Sequence, residues 1–306
     1  MLYQVTVVGA SNIDISATTQ NSLILGDSNP GRVTLGFGGV GRNIAENLAR
    51  LKVHTRLISA YGNDAFAILL KRQAQEIGLD ISQSLDSTSL SSSVYICVNE
   101  PDGEMHIAVS DMDICKTLSP AFLKEKLAVM QQSDALILDA NLSADALHFL
   151  AENATIPLFA DSVSTKKAVR LQSILPKLTG LKTNRQEAEL LTGLAVQTKE
   201  DVPRAAQALH EMGVRYVLIT LGEKGGCLSD GSSIEFMPSM VQKLVNTTGC
   251  GDACFSGMVY AFLQGKSCRE MLKISMAMAE ICAESPSAVS PMISPQNVKN
   301  HLNDKA

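Results

Sequence analysis

The segment Asn246-Thr247-Thr248-Gly249-Cys250-Gly251-Asp252 places a carboxylate directly after two glycines, where an apolar helical pattern begins with Phe255, Val259 and Phe262. Glycines ahead of a helix N-terminus let backbone N–H groups converge on an anion, and the helix dipole adds to that field. A phosphoryl group held by Gly249, Cys250 and Gly251 would stand beside Asp252, whose carboxylate could take a proton from an attacking hydroxyl. The same order of residues also suits an Asp that caps a helix after a glycine turn.

Three further segments carry residue types that fit phosphoryl transfer. In Lys182-Thr183-Asn184-Arg185-Gln186-Glu187, Asn184 and Glu187 are three apart at a strand end that leads into a helix, so they face the same way. Such a pair suits Mg2+, which keeps several waters and recruits few protein oxygens; a capping box is the alternative. After an apolar strand, Thr220-Leu221-Gly222-Glu223-Lys224-Gly225-Gly226 offers glycines that let a nucleotide come close. Near the N-terminus, Asn12 and Asp14 follow the first strand, and Gly38-Gly39-Val40-Gly41-Arg42-Asn43 opens a helix. Amide and carboxylate groups facing a glycine platform can hold the vicinal hydroxyls of a sugar, or they can be turn and cap residues.

Two motif matches point elsewhere and fail on context. Gly36 to Gly41 spells GxGxxG, but no acidic residue closes a following strand at the spacing a dinucleotide site needs. Gly265-Lys266-Ser267 resembles the end of a P-loop, yet position 260 is Tyr and a helix precedes it, so Gly265 reads as a helix C-cap. Cys250 and Cys254 sit four apart without a nearby His or third Cys, and the five His form no cluster. Small buried side chains are the simpler account than a metal pair.

These groups need a scaffold that brings strand ends and helix starts together. With 306 residues, 45% hydrophobic and only 4% aromatic, the chain can build a large aliphatic core, as in a sheet sandwiched between helices. Short β-rich runs recur at Val5–Gly9, Arg56–Ala60, Ala135–Asp139, Pro157–Ala160, Gly180–Lys182 and Tyr216–Thr220, with amphipathic stretches between them. That rhythm predicts an α/β fold with a doubly wound, mainly parallel sheet and flanking helices. Two segments break it: about 15–36, around a turn at Asn29-Pro30-Gly31, and about 92–110, a hairpin around Pro101-Asp102-Gly103. Together they predict a small discontinuous β lid on a single domain spanning 1–306.

Charge narrows the partners. A net charge of −5 and a pI near 5.6 give no basic footprint for nucleic acid or an anionic membrane surface, which favours a small-molecule substrate. Seven cysteines without a CxxC pair fit reduced thiols, and the first residues lack a basic leader pattern. A soluble, cytoplasmic protein is expected.

Taken in order, the segments resemble the PfkB family of carbohydrate kinases, also called the ribokinase family. Gly38 and Gly39 with Asn43 look like its N-terminal signature, Asn184 with Glu187 its N-x-x-E element, and residues 246–252 its C-terminal signature. The resemblance covers nearly the whole chain and implies a ribokinase-like domain with a β lid that pairs two copies. By the same resemblance Asp252 is the catalytic base and Gly249, Cys250 and Gly251 form the anion hole. Asn12, Asp14, Gly38, Gly39 and Asn43 bind sugar, while Asn184, Thr220, Gly222, Gly225, Thr248 and Gly249 bind ATP. Glu187 holds Mg2+ through water. Two positions depart from the pattern: Asn246 where the family has Asp, which puts activation by K+ in question, and Cys250 where it has Ala.

Three stretches, Gly9-Ala10-Ser11-Asn12-Ile13-Asp14, Asp27-Ser28-Asn29-Pro30-Gly31 and Ser110-Asp111-Met112, are similar to members that phosphorylate the 5'-hydroxyl of pseudouridine. Lid contacts to the base are expected from Ser93 and Asp111. Ribose or another nucleoside is the alternative substrate. A sugar sensor without catalysis would have no use for Asp252 beside a glycine nest.

Overall fold

Short aliphatic runs become strands that helices cover on both faces, and such strands need no polar alternation. The computed structural model describes residues 3–304; positions 1, 2, 305 and 306, at the ends of the expected 1–306 range, lie outside the described residues. The strands are β1 (Gln4–Val8), β2 (Asn12–Thr19), β3 (Gly31–Gly38), β4 (His54–Ile58), β5 (Ala60–Tyr61), β6 (Leu85–Asp86) and β7 (Ser93–Asn99). They continue as β8 (Met105–Asp111), β9 (Ala135–Asp139), β10 (Leu158–Asp161), β11 (Gly180–Asn184), β12 (Tyr216–Thr220), β13 (Gly226–Ser229) and β14 (Ile234–Met237). The α-helices are α1 (Val40–Arg50), α2 (Ala65–Glu76), α3 (Pro120–Met130), α4 (Ala144–Asn153), α5 (Thr165–Ala168), α6 (Arg185–Thr192), α7 (Val202–Glu211), α8 (Cys250–Leu263), α9 (Cys268–Ala283) and α10 (Pro295–Asp304).

The main sheet has eight strands in the order β14-β13-β12-β11-β10-β9-β1-β4. From β4 to β12 neighbouring strands run parallel; β13 and β14 add an antiparallel hairpin at one edge. On one face α1, α8 and α9 pack through Ile44, Leu48, Phe255, Met258 and Leu272. The opposite face carries α4 and α7 through Leu147, Leu150, Ala205 and Leu209. Helix α1 lies so deep that its polar residues Asn43 and Asn47 are buried along with Ile44 and Leu48.

The second sheet is the expected lid, in the order β3-β2-β7-β8. Its strands begin at Asn12, earlier than expected, and β2 runs parallel to β7 in the register Asn12↔Ser93 and Asp14↔Tyr95. The connection between β2 and β3 spans residues 20–30, longer than a tight turn at Asn29-Pro30-Gly31. The Asn29 side chain explains the length: its Oδ1 accepts from Ile24 N at 2.8 Å and its Nδ2 donates to Ile24 O at 2.9 Å, which ties off a wide loop. The edge hairpin β13–β14 was not foreseen; the C-cap of α8 is Gln264, and Gly265, expected to be the cap, follows it at a left-handed φ of 67°.

Candidate active site

Helix α8 begins at Gly249, whose φ of 81° lies in the left-handed region, and no side chain caps its first turn. A Cβ at Gly249 would drive into the Ala288 carbonyl, so only glycine lets the chain turn here against residues 286–290. The Asn246 amide holds the approach: its Oδ1 accepts from Thr248 N at 3.0 Å and its Nδ2 donates to Pro286 O at 3.2 Å. Cys250 is half-buried, and a hydrogen bond from the Cys282 thiol holds its own thiol below the ordinary range. Cys250 N donates to Thr247 O at 3.3 Å, and a helix start with no side-chain cap, with Asp252 in its first turn, can bind an anion.

Asp252 is only 7% exposed, and Asn43 Nδ2 donates to its Oδ2 at 2.7 Å. The ammonium of Lys182 lies beneath the glycine turn, 2.9 Å from where a Cβ on Gly251 would sit, and pairs with Asp161 at 3.2 Å. Burial pushes the Asp252 carboxyl up to about 7, with the Asp161 carboxylate adding to the rise and Lys182 and Asn43 opposing it. Lys182 is itself driven upward; burial opposes its charge, but the carboxylates of Asp161, Glu187 and Asp252 around it prevail. A carboxylate that titrates near neutrality is suited to receive a proton.

Lys182, Asp161 and Asp139 were not singled out from the sequence. The available signal was a charged residue inside or at the end of an apolar parallel strand, where open α/β sheets place their sites. Asp139, fully buried, accepts from Ala10 N and Gly41 N through Oδ2, each at 2.8 Å, and from Asn141 N through Oδ1. It thereby pins the loop after β1 to the first turn of α1. Arg42 was also missed: it donates to Phe37 O, Gly38 O, Glu46 and Asn43 Oδ1.

Across the cleft, Asn12 Nδ2 donates to Asp14 Oδ1 at 2.6 Å. Burial pushes the Asp14 carboxyl up, and Asn12 and Arg42 hold it back. Gly38 stands against the Asp14 carboxylate, where any side chain would collide with it, and Gly39 caps α1. The structure thus brings Asp14, Gly38, Asn43 and Asp252 to one place. A cleft of about 1010 Å³, lined by Asp14 but not by Gly38, Asn43 or Asp252, lies between the lid and the loops at 246–248 and 286–291.

Strand alternation sorts the lid into unlike faces. Ser16, Thr34, Tyr95 and Asn99 line the cleft, and Asn99 Nδ2 donates to Ser16 Oγ at 2.9 Å. The two lid residues singled out in advance lie elsewhere. Ser93 is buried at the root of β7 with its hydroxyl against the Cys115 thiol. Asp111 pairs with Val94 and shares the outer face with Val109, away from the cleft.

Asn184 and Glu187 form a capping box on α6: Asn184 Oδ1 accepts from Glu187 N, and Glu187 Oε2 accepts from Asn184 N at 2.8 Å. Both Glu187 oxygens are engaged, since Asn184 Nδ2 donates to Oε1 and the Ser162 hydroxyl donates to Oε2. A hollow of about 410 Å³ lies beside them, lined by Asn184, Thr220, Gly222 and Lys224. Gly225 does not line it; its φ of 97° and the close Met237 carbonyl mark it as the corner of the β13–β14 edge. Among the described residues no three metal-ligating side chains cluster.

With this geometry in view, the comparisons with known proteins converge. The model of the pfkB family carbohydrate kinases matches residues 3–295. A pseudouridine kinase of Escherichia coli strain K12 is 31% identical over 296 residues, covering 96% of this chain and 95% of that protein. A guanosine-inosine kinase of Exiguobacterium acetylicum is 28% identical, covering 94% and 97%. The solved ribokinase of Arabidopsis thaliana, complexed with ribose and ATP, superposes with a TM-score of 0.88 at 21% identity, covering 99% of each chain. The chain belongs to the PfkB family of carbohydrate kinases, with a ribokinase-like fold. It is a phosphotransferase with an alcohol acceptor, its substrates are small molecules, and the family uses ATP. Among the described residues no helix is long and apolar enough to cross a membrane.

Proposed function

We propose that the chain transfers the γ-phosphoryl group of ATP to the 5'-hydroxyl of a nucleoside, pseudouridine before any other. The observation that carries this reading is Asp252: a buried carboxylate at an uncapped helix N-terminus, hydrogen-bonded to Asn43 beside Asp14. Asn12, Asp14, Gly38, Gly39 and Asn43 hold the ribose hydroxyls. Asp252 takes the proton of the attacking hydroxyl, and the N–H groups of Gly249, Cys250 and Gly251 receive the phosphoryl oxygens. Lys182 adds positive charge beneath them.

ATP lies along Asn184, Thr220 and Gly222 toward Thr248 and Gly249; Gly225 serves only to shape that corner. Glu187 would hold Mg2+ through water, and the ion would supply charge that offsets the triphosphate. The Asn246 amide is neutral and already spent on Thr248 and Pro286, so assays in K+ and in Na+ read whether the monovalent ion matters. Support for the substrate comes from the pseudouridine kinase relative and from the cleft face of the lid. Ser16, Thr34, Tyr95 and Asn99 offer polar partners to a base with several polar edges.

The outer face of the lid supports pairing with a second copy. Val33 is 68% exposed and Val109 62%, with Leu35, Ile96 and Ile107 between them. ADP release measured with Mg-ATP against pseudouridine, uridine, guanosine, inosine and ribose tests the substrate. Highest kcat/KM for pseudouridine is expected. A preference for ribose would remove the base from the reading, and binding without turnover of any of them would leave a sensor.

A further inference from the structure

The guanidinium of Arg42 has no part in the chemistry described above, yet it is 3% exposed and almost fully engaged. Its Nε donates to Gly38 O at 3.1 Å, and Nη1 donates to Glu46 Oε2 at 2.5 Å. Its Nη2 donates to Phe37 O at 2.8 Å and to Asn43 Oδ1 at 2.7 Å. Phe37 and Gly38 are the last two residues of the lid strand β3. The Asn43 amide in turn donates from Nδ2 to Asp252 Oδ2 at 2.7 Å.

A guanidinium only donates, so the Asn43 atom that faces it must be the carbonyl oxygen. The amide is then left with one orientation, nitrogen toward Asp252. Were it turned over, an oxygen would face the carboxylate and a nitrogen the guanidinium, two repulsive contacts in place of two favourable ones. We propose that Arg42 is a positioning residue for phosphoryl transfer: its fork fixes the Asn43 amide against Asp252 and ties that orientation to the end of the lid strand. The inference rests on Asp252 being the base.

Lysine at 42 keeps the charge near Glu46 but presents a single point of donors and cannot reach Asn43, Phe37 and Gly38 together. The Asn43 amide is then free to turn. In Arg42→Lys we expect kcat to fall about ten- to a hundredfold, the range for one hydrogen bond to a charged group. KM for ATP should hold, because the nucleotide hollow is lined from other elements.

The acidic limb of the pH–kcat profile should move about one pH unit toward alkali, since the donor that favours ionised Asp252 is lost. Other groups facing Asp252 are Lys182 on β11, Asp161 on β10, Asp139 on β9, Cys282 on α9, and Cys250 on its own helix. All of these stay in place in the variant.

The deciding measurement is a double-mutant cycle with Asn43→Ala. If Arg42 works through Asn43, then adding Arg42→Lys to Asn43→Ala should change neither kcat nor the pH limb further. Equal fold-losses in both backgrounds would overturn the proposal, as would an Arg42→Lys enzyme with wild-type kcat and pH limb but a lower Tm. Should Arg42→Lys not fold, Arg42→Met, in which Glu46 keeps Arg50 and Gln73 as partners, carries the same kinetic expectation. Asp252→Asn run alongside separates the outcomes. Normal turnover there defeats the base itself, whereas an inactive Asp252→Asn beside a normal Arg42→Lys defeats only this inference.

Discussion

Exchanging Asp252 for Asn should make the protein more stable and nearly inactive, and the stability gain should depend on pH. The folded carboxyl titrates at about 7 against an ordinary 3.8, because burial and Asp161 outweigh Lys182 and Asn43. A folded value above the unfolded one means that ionisation favours unfolding. The destabilisation is absent below the ordinary carboxylate range, grows as pH rises from about 4 to about 7, and stays constant beyond. Roughly three pH units at about 1.4 kcal/mol each set a ceiling of about 4 kcal/mol. Lys182 loses one of its carboxylate partners in the variant, so a net gain of about 1–2 kcal/mol at pH 8.5 is expected. For a chain of this size that corresponds to a Tm about 2–8 °C above wild type. Melting followed by circular dichroism at pH 4.5, 6.0 and 8.5 should show the gap widening with pH. Turnover in the same variant should drop on the order of a thousandfold or more. A gap that is flat across this range, or of opposite sign, would refute burial of Asp252 as the origin of its high proton affinity; near-normal turnover would refute its role as base.

Further changes probe the surrounding parts. Gly249→Ala forces a side chain into a left-handed turn against Ala288, and should cost about 1–3 kcal/mol of stability and cut turnover sharply; unchanged kinetics would deny the anion hole. Glu187→Gln removes the charge and turns an amide nitrogen toward donors that the buried carboxylate now accepts from, so the Mg2+ needed for half-maximal rate should rise several-fold and Tm should fall by several degrees. A magnesium titration identical to wild type would remove Glu187 from the metal. On the lid, Val109→Lys places a charge on the edge strand of the outer apolar face and should shift the chain toward monomer in sedimentation; an unchanged mass would mean that this face does not pair.

The main sheet was legible because its buried parallel strands are short, mostly apolar runs spaced by amphipathic stretches, and the lid because its segments alternate instead. Val94, Ile96 and Val98 fall on one face and Tyr95, Cys97 and Asn99 on the other, as the alternation demanded. Alternation could not tell which face turns to the cleft. That depends on how the sheet sits over the main domain, and it is why Asp111 was taken for a cleft residue while Ser16 and Asn99 were passed over. The loop at 20–30 escaped for a related reason: Asn-Pro-Gly is a turn signal, but the Asn29 side chain uses it to close a wider loop.

Within the site, residues announced by glycines were legible and those announced only by charge were not. Gly38, Gly39, Gly249 and Gly251 mark close approaches, to Asp14, Ala10, Ala288 and Lys182 in the structure, and Asp14, Asn43 and Asp252 near them in sequence drew attention. Asp139, Asp161 and Lys182 each end or interrupt an apolar strand, and their burial becomes evident only when β9, β10 and β11 are seen side by side. Arg42 was hidden most completely, because Arg42 and Glu46 at i and i+4 spell an ordinary exposed helix pair. Helix α1 instead lies under the lid strand and against α8, so the same spacing becomes a buried ion pair with donors to spare. Those spare donors reach Phe37, Gly38 and Asn43, and through Asn43 the buried Arg42 comes to bear on the proton affinity of Asp252.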